Sequence, residues 1–184
     1  TNKLKLYSMN LKKLLFTFGL ALMAGGILFA QDYEYIGAAK CKMCHNKSTT
    51  GAQYKLWAAG PHAKAMETLA GEESMAYAKE HGIADPTKEA SCLKCHSTAG
   101  SIDPDLNAGV KATEGVSCET CHGPGSKYKS NSIMKDRAKS LANGMIIPDE
   151  NTCKACHNEE SPHFKGFNYD EYLKKIAHPV PAAE

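Results

Sequence analysis

The chain has 184 residues, 23% of them charged, and a formal net charge of +2. Five phenylalanines and one tryptophan are few for a protein-only core. The lysines form no clustered basic face, which excludes a nucleic-acid binder.

In chain order, residues 1–30 read as upstream residues plus a removable leader. Met9 is the expected start, Lys12 and Lys13 are a short positive flank, and Leu14 to Phe29 is an apolar run ending at a cleavage point after Ala30. That run is shorter than the roughly 20 residues a membrane-spanning helix needs. Leu28 stands where a cleavage site prefers a small residue, so an uncleaved anchor is the competing reading. The expectation is export to the periplasm or the extracellular space, with no stable membrane span after cleavage. The first thirty residues hold four lysines and no acid, so residues 31–184 carry 18 basic against 20 acidic groups and turn the balance negative.

Residues 31–184 are expected to form one domain, mainly α-helical with extensive loops and little or no β structure. Gly60-Pro61 predicts a helix with proline at its first position, running through His62 to about Leu69. A second helix is predicted from Glu72 to His81, stopped by Gly82. Asp85-Pro86 is expected to cap a short helix. Residues 98–117 read as loop, and Gly123 to Ser126 as a turn. Ser132 to about Leu141 and Tyr169 to Ala177 are the last predicted helices, the latter ending before His178-Pro179. Val180 to Glu184 read as a frayed tail.

Four segments interrupt this pattern with the same spelling. Cys41-Lys42-Met43-Cys44-His45, Cys92-Leu93-Lys94-Cys95-His96, Cys118-Glu119-Thr120-Cys121-His122 and Cys153-Lys154-Ala155-Cys156-His157 use all eight cysteines. Cys-x-x-Cys-His is the attachment signature of c-type haem: two thiols bond the porphyrin and the adjacent histidine becomes an axial ligand to iron. Zinc sites use Cys-x-x-Cys pairs without requiring that histidine, and a disulfide framework gives it no role. Four covalently bound haems c are therefore expected. With fewer than forty residues for each, the macrocycles must supply much of the buried apolar surface and lie close together, and the chain without them should be largely unfolded.

The second axial position of each iron decides what such a protein does. Histidine on both sides gives a closed electron-transfer haem, methionine raises the potential, and an open side permits catalysis. Four histidines lie outside the motifs, namely His62, His81, His163 and His178, matching four irons in number. His62 falls in the first turn of a predicted helix, on the side of Met66. His178 follows a helix and is held by Pro179. His81 ends a helix eleven residues before the second motif. For these three the competing role is a capping or dipole contact at a helix end. His163, six residues after His157, is too close to reach the far face of the same haem and would serve another, or else be a surface residue. Met66, Met75, Met134 and Met145 compete as ligands but suit packing against a porphyrin.

Gly60-Pro61-His62-Ala63-Lys64-Ala65-Met66, Gly115-Val116-Ser117 leading into the third motif and Gly123-Pro124-Gly125, and the fourth motif followed by Ser161-Pro162 together resemble the tetrahaem cytochrome c554 family, over about residues 36–180. The resemblance implies an exported, mostly helical protein that passes electrons along stacked haem pairs. The family archetype accepts electrons from hydroxylamine oxidoreductase and keeps one haem five-coordinate. Two departures matter. His81 has no counterpart in the archetype and is placed to fill the open position at the Cys92–His96 haem. Ser126 to Leu141 contains no histidine where the archetype has one, so that ligand must come from elsewhere, either His163 or a neighbouring molecule.

Three functions follow. The first is an electron carrier exchanging electrons with redox partner proteins, not an enzyme. The second is a subunit of a polymeric extracellular cytochrome filament, similar to tetrahaem filament subunits, with haem ligation across the subunit boundary; contacts that do not close into a ring build such polymers. The third is a haem enzyme acting on small nitrogen compounds. A full complement of histidines, and motifs that all end in His rather than Lys, weigh against the third.

Overall fold

The computed structural model describes residues 33–179, which lie in one compact unit. The leader, the anchor alternative and the tail from Val180 lie outside the described residues. Within them the chain is helical throughout: α1 Ala38–His45, α2 Gln53–Ala59, α3 Ala65–Leu69, α4 Glu72–Glu80, α5 Ala90–His96, α6 Thr98–Ser101, α7 Cys118–His122, α8 Asn131–Met134, α9 Arg137–Ala142, α10 Glu150–Lys154 and α11 Tyr169–Ile176, joined by loops and single 3-10 turns. The one β feature among them is an isolated parallel bridge between Tyr35 and Asn107. Tyr35 N–H donates to the Leu106 carbonyl at 2.8 Å and Ala108 N–H to the Tyr35 carbonyl at 2.9 Å. The mainly α fold expected from the sequence is the fold observed. None of the described helices is long and apolar enough to cross a membrane.

Several helix ends follow from local chemistry. Gly82, at φ +71°, ends α4, and Ile83 N–H closes back onto the Ala78 carbonyl at 2.8 Å. Asn168 caps α11 by accepting from Glu171 N–H at 3.2 Å. At α10, Asp149 accepts from Thr152 N–H at 2.9 Å while Thr152 Oγ1 accepts from Asp149 N–H at 3.2 Å, a reciprocal capping box.

Three predicted helices differ. The helix from Gly60-Pro61 is a 3-10 turn, His62–Lys64, followed by α3. The His62 carbonyl accepts from Ala65 N–H within that turn and, from across the fold, from Val116 N–H at 2.9 Å. The helix expected over Ser132–Leu141 is divided at Asp136, whose side chain accepts from Lys139 N–H at 3.1 Å and so caps α9 afresh. Asp85 caps a turn rather than a helix, accepting from Thr87 N–H at 3.0 Å and Thr87 Oγ1 at 2.6 Å, while α5 begins after Glu89.

The apolar core is small. Ile36, Ala38, Leu69, Ala78, Val110, Val116 and Tyr128 are the buried hydrophobic residues among those described. Beside them sits a buried polar framework. Thr98 Oγ1 accepts from Ser117 N–H at 2.7 Å and lies 2.7 Å from Thr120 Oγ1, which joins α6 to α7. Trp57 Nε1–H donates to the Val116 carbonyl at 2.8 Å, joining α2 to the same strand of loop. Buried polar groups are costly unless paired, so these bonds fix the mutual placement of the segments that carry the motifs.

Candidate functional site

In each motif the two cysteines are three residues apart and the histidine follows one position later. On a helical turn these positions share a face. The first three motifs lie in α1, α5 and α7, and the fourth begins in α10 and turns on past it, with His157 N–H still donating to the Cys153 carbonyl at 3.0 Å.

The first motif is set by two distant glutamates. The N-terminus of α1 has no local side-chain cap. Glu119, 1% exposed, accepts from Ile36 N–H at 3.0 Å, from Gly37 N–H at 2.8 Å and from Gly125 N–H at 2.6 Å. Glu114 accepts from Ala38 N–H at 3.0 Å. Carboxylates thus satisfy unpaired donors at a helix start, where the dipole also favours negative charge. Gly37 occupies φ +82°, and a Cβ there would meet the Gly109 carbonyl oxygen at 2.4 Å. Glu119 is an inner residue of the third motif, so the first and third motifs are locked together through it.

Three motif histidines have their Nδ1 engaged. His45 Nδ1 faces Gln53 Oε1 at 3.1 Å, His96 Nδ1 faces the Ala65 carbonyl at 3.0 Å and His122 Nδ1 faces the Ile146 carbonyl at 3.1 Å. Each acceptor requires the proton on Nδ1 and leaves the Nε2 lone pair for a metal. His157 is held instead by rings, stacked on Phe167 at 5.2 Å with Tyr172 edge-on at 5.4 Å.

Two histidines outside the motifs face motif histidines. The rings of His62 and His157 are 6.1 Å apart, centroid to centroid, and those of His122 and His178 are 5.8 Å apart. Two imidazoles bonded through nitrogen to opposite sides of one metal, at about 2 Å each, place their centroids about 6 Å apart. His178 Nδ1 is buried without a hydrogen-bond partner. Burial is the largest influence holding all four of these imidazoles below the ordinary histidine pKa; His157 adds to it at His62 and His122 adds to it at His178. Neutral imidazole is the form that binds iron. The residues present therefore fit an iron held between paired histidines.

His81 and His163 are placed differently. Both gather on Tyr77: His81 is stacked on it at 3.9 Å with Nδ1 at 2.9 Å from the Tyr77 carbonyl, and His163 meets it edge-on at 5.7 Å. Both are exposed, His163 with Nδ1 3.8 Å from Glu73. His163 also lines a cleft beside Cys156, His157 and Tyr172.

The cysteines of different motifs adjoin. The Cys41 thiol faces Cys118, a contact that pushes Cys41 above and Cys118 below the ordinary thiol range. Burial, then Cys95, pushes Cys156 up to about 12. Burial followed by Cys153 raises Cys121. First and third motifs are thus neighbours, as are second and fourth, and the third and fourth link the two pairs. Sequence reasoning missed Gln53, Glu114 and Glu119, and the Ala65 and Ile146 carbonyls; the two glutamates carried a faint signal, lying within or just before the third motif.

The cytochrome c554 and c-prime family profile matches residues 40–123. Cytochrome c-554 of Nitrosomonas europaea is 30% identical over 195 aligned residues, covering 84% of this chain and 78% of that protein. Cytochrome c-552 of two Bacteroides fragilis strains is 32% identical over 106 residues, 56% of this chain and 20% of those proteins. No solved structure matches. With the motif helices and the facing imidazoles, these relationships define a c-type cytochrome of electron transfer. The chain belongs to the cytochrome c554 family.

Proposed function

We propose that the chain is an exported tetrahaem electron carrier, with haem c attached at Cys41/Cys44, Cys92/Cys95, Cys118/Cys121 and Cys153/Cys156. His45, His96, His122 and His157 are the proximal ligands. His62 is the distal ligand opposite His157, and His178 the distal ligand opposite His122. The observation that carries this reading is the pair of imidazole separations, 6.1 Å and 5.8 Å. Haem c, when bound, supplies a one-electron ferric–ferrous couple.

The chain does the rest. Its thiols anchor, and its Nδ1 acceptors fix ring orientation and raise ligand basicity. Its burial keeps the distal imidazoles neutral. The adjoining cysteines support a spatial order of first, third, fourth, second, in which redox partners exchange electrons at either end. Histidine pairs closing two irons favour transfer over reaction with small nitrogen compounds.

A second reading has one observation in its favour. His81 and His163 share an exposed patch on Tyr77, where they are open to a neighbouring copy. That is the arrangement a filament subunit with inter-subunit ligation would use.

The test is the mass and pyridine haemochrome spectrum of the exported protein, with electron paramagnetic resonance of its ferric form. Four haems, with at least two low-spin, are expected. Fewer than four overturns the reading. Particle size before and after His81→Ala and His163→Ala separates carrier from filament: a polymer dispersed by either substitution selects the filament.

A further inference from the structure

We propose that Gln53 is a positioning residue serving two haem sites at once: it fixes the tautomer of His45 at the first motif and holds the peptide that follows His178 opposite the third. The inference rests on the haem reading above.

The amide uses both ends. Gln53 Oε1 lies 3.1 Å from His45 Nδ1. Gln53 Nε2 donates to the Pro179 carbonyl at 2.9 Å and to the Thr50 carbonyl. An amide nitrogen has two hydrogens and the oxygen none, so two carbonyl acceptors on one side settle which way the group points. Reversing it would set Oε1 against two carbonyl oxygens. With the nitrogen committed, the oxygen can only accept, and His45 must carry its proton on Nδ1. The Nε2 lone pair is then directed to the first iron. The other two histidines with an Nδ1 acceptor, His96 and His122, take main-chain carbonyls instead, so of these three only His45 has an acceptor that a single side-chain substitution can alter.

The backbone is shaped to deliver this side chain. Gln53 opens α2, and the residue before it, Ala52, has φ +51°, the one non-glycine residue with positive φ among those described. Such conformations persist where the surroundings over-determine them, and they gather at functional sites. Gly51 precedes it at φ +96°, where a Cβ would meet Gln53 Nε2 at 2.6 Å and the Pro179 carbonyl oxygen at 2.9 Å. Two left-handed residues in succession fold the chain back after α1, so that the start of α2 reaches the end of the first motif.

Pro179 is next to His178, whose ring faces His122 at 5.8 Å. Cys41 and Cys118 bring the first and third motifs together independently. Gln53 therefore links the proximal histidine of one site to the residue that follows the distal histidine of its neighbour. A stronger acceptor at Nδ1 makes the imidazole more basic and favours ferric iron; a weaker one favours ferrous.

The experiment is a spectroelectrochemical titration of the holo-protein with Gln53→Glu and Gln53→Ala, together with haem mass and the ferric spin state. Glutamate strengthens the acceptor and should move one of four midpoints downward. Alanine removes it and should move the same midpoint upward. A tenfold change in relative affinity for the two oxidation states reads as about 59 mV. Both variants lose the Pro179 contact and should show a high-spin fraction of up to one haem. Opposite shifts at one midpoint would not come from loosened packing, which moves both variants the same way. If Gln53→Ala does not mature, the Gln53→Glu shift decides. Four haems with unmoved midpoints and no high-spin signal sinks this proposal alone. A wild-type chain with fewer than four haems sinks the haem reading and this proposal together.

Discussion

Removing the Glu119 carboxylate should be among the most damaging single changes outside the motif cysteines and histidines. The side chain is 1% exposed and accepts from three backbone N–H groups: Ile36, Gly37 and Gly125. Hydrogen bonds to a charged group contribute about 1.5–3 kcal/mol each, and an N–H left buried and unpaired costs about 1–3 kcal/mol. Three such donors give a gross loss of roughly 4–9 kcal/mol, and water entering the space left behind recovers part of it. Glu119→Ala is therefore expected to cost at least about 3 kcal/mol, a large share of the 5–15 kcal/mol typical of a domain. Glu119→Gln should cost less, about 1.5–3 kcal/mol, because one oxygen still accepts while the new NH2 faces a donor. The assay is chemical denaturation of the holo-protein followed by far-UV circular dichroism, with hydrogen exchange at Ile36 and Gly37 as the local readout. Glu150→Ala is the control: its ion pair with Lys154 is about half exposed on both sides and should change stability by no more than about 0.5 kcal/mol. Glu119→Ala indistinguishable from that control would refute the idea that the carboxylate ties the first motif to the third.

Other consequences can be checked separately. His62→Ala and His178→Ala should each convert one haem to high spin, and the double variant two, by electron paramagnetic resonance; an unchanged spectrum removes that residue from the ligand set. Gly115→Ala places a Cβ 2.5 Å from the His62 carbonyl oxygen at a residue with φ +70°, so it should displace His62 and yield the same high-spin signal along with a lower melting temperature. Normal melting with all haems low-spin would show that the segment yields freely. Asp85 is held down to about 2, chiefly by its hydrogen bond to Lys88 and then by Thr87. A carboxyl depressed in the folded state stabilises above its unfolded value and loses that contribution as pH falls through its folded one. The melting difference between wild type and Asp85→Asn should thus be full at neutral pH, shrink as pH falls below about 4 and be mostly lost near pH 2; a difference as large at pH 2 as at pH 7 would contradict it.

Several local signals were readable where the partner is close in sequence. The attachment motifs, the stop of α4 at Gly82 and the end of α11 before His178-Pro179 depend on neighbours a few residues away. Readings failed where a short-range cap competed with a longer helix, and where a distant group intervened. Asp136 and Asp85 accept from nearby N–H groups, at Lys139 and Thr87, dividing one predicted helix and leaving a turn in place of another, while Val116 N–H is a distant second donor to the His62 carbonyl.

The four Cys-x-x-Cys-His motifs and the four further histidines are a property of the sequence by itself, because thiol spacing and the adjacent imidazole are local requirements of attachment. Which histidine faces which depends on folding. His62 meets His157 across 95 residues and His178 meets His122 across 56, and the spacing names neither partner. The acceptors that orient the proximal rings are mostly main-chain carbonyls, which every residue possesses and no sequence marks. Glu119 illustrates the same division: its place inside a motif is legible, but its three donors come from both ends of a gap of more than eighty residues. Only tertiary structure brings such groups together, because the cost of leaving them unpaired is incurred only once they are buried.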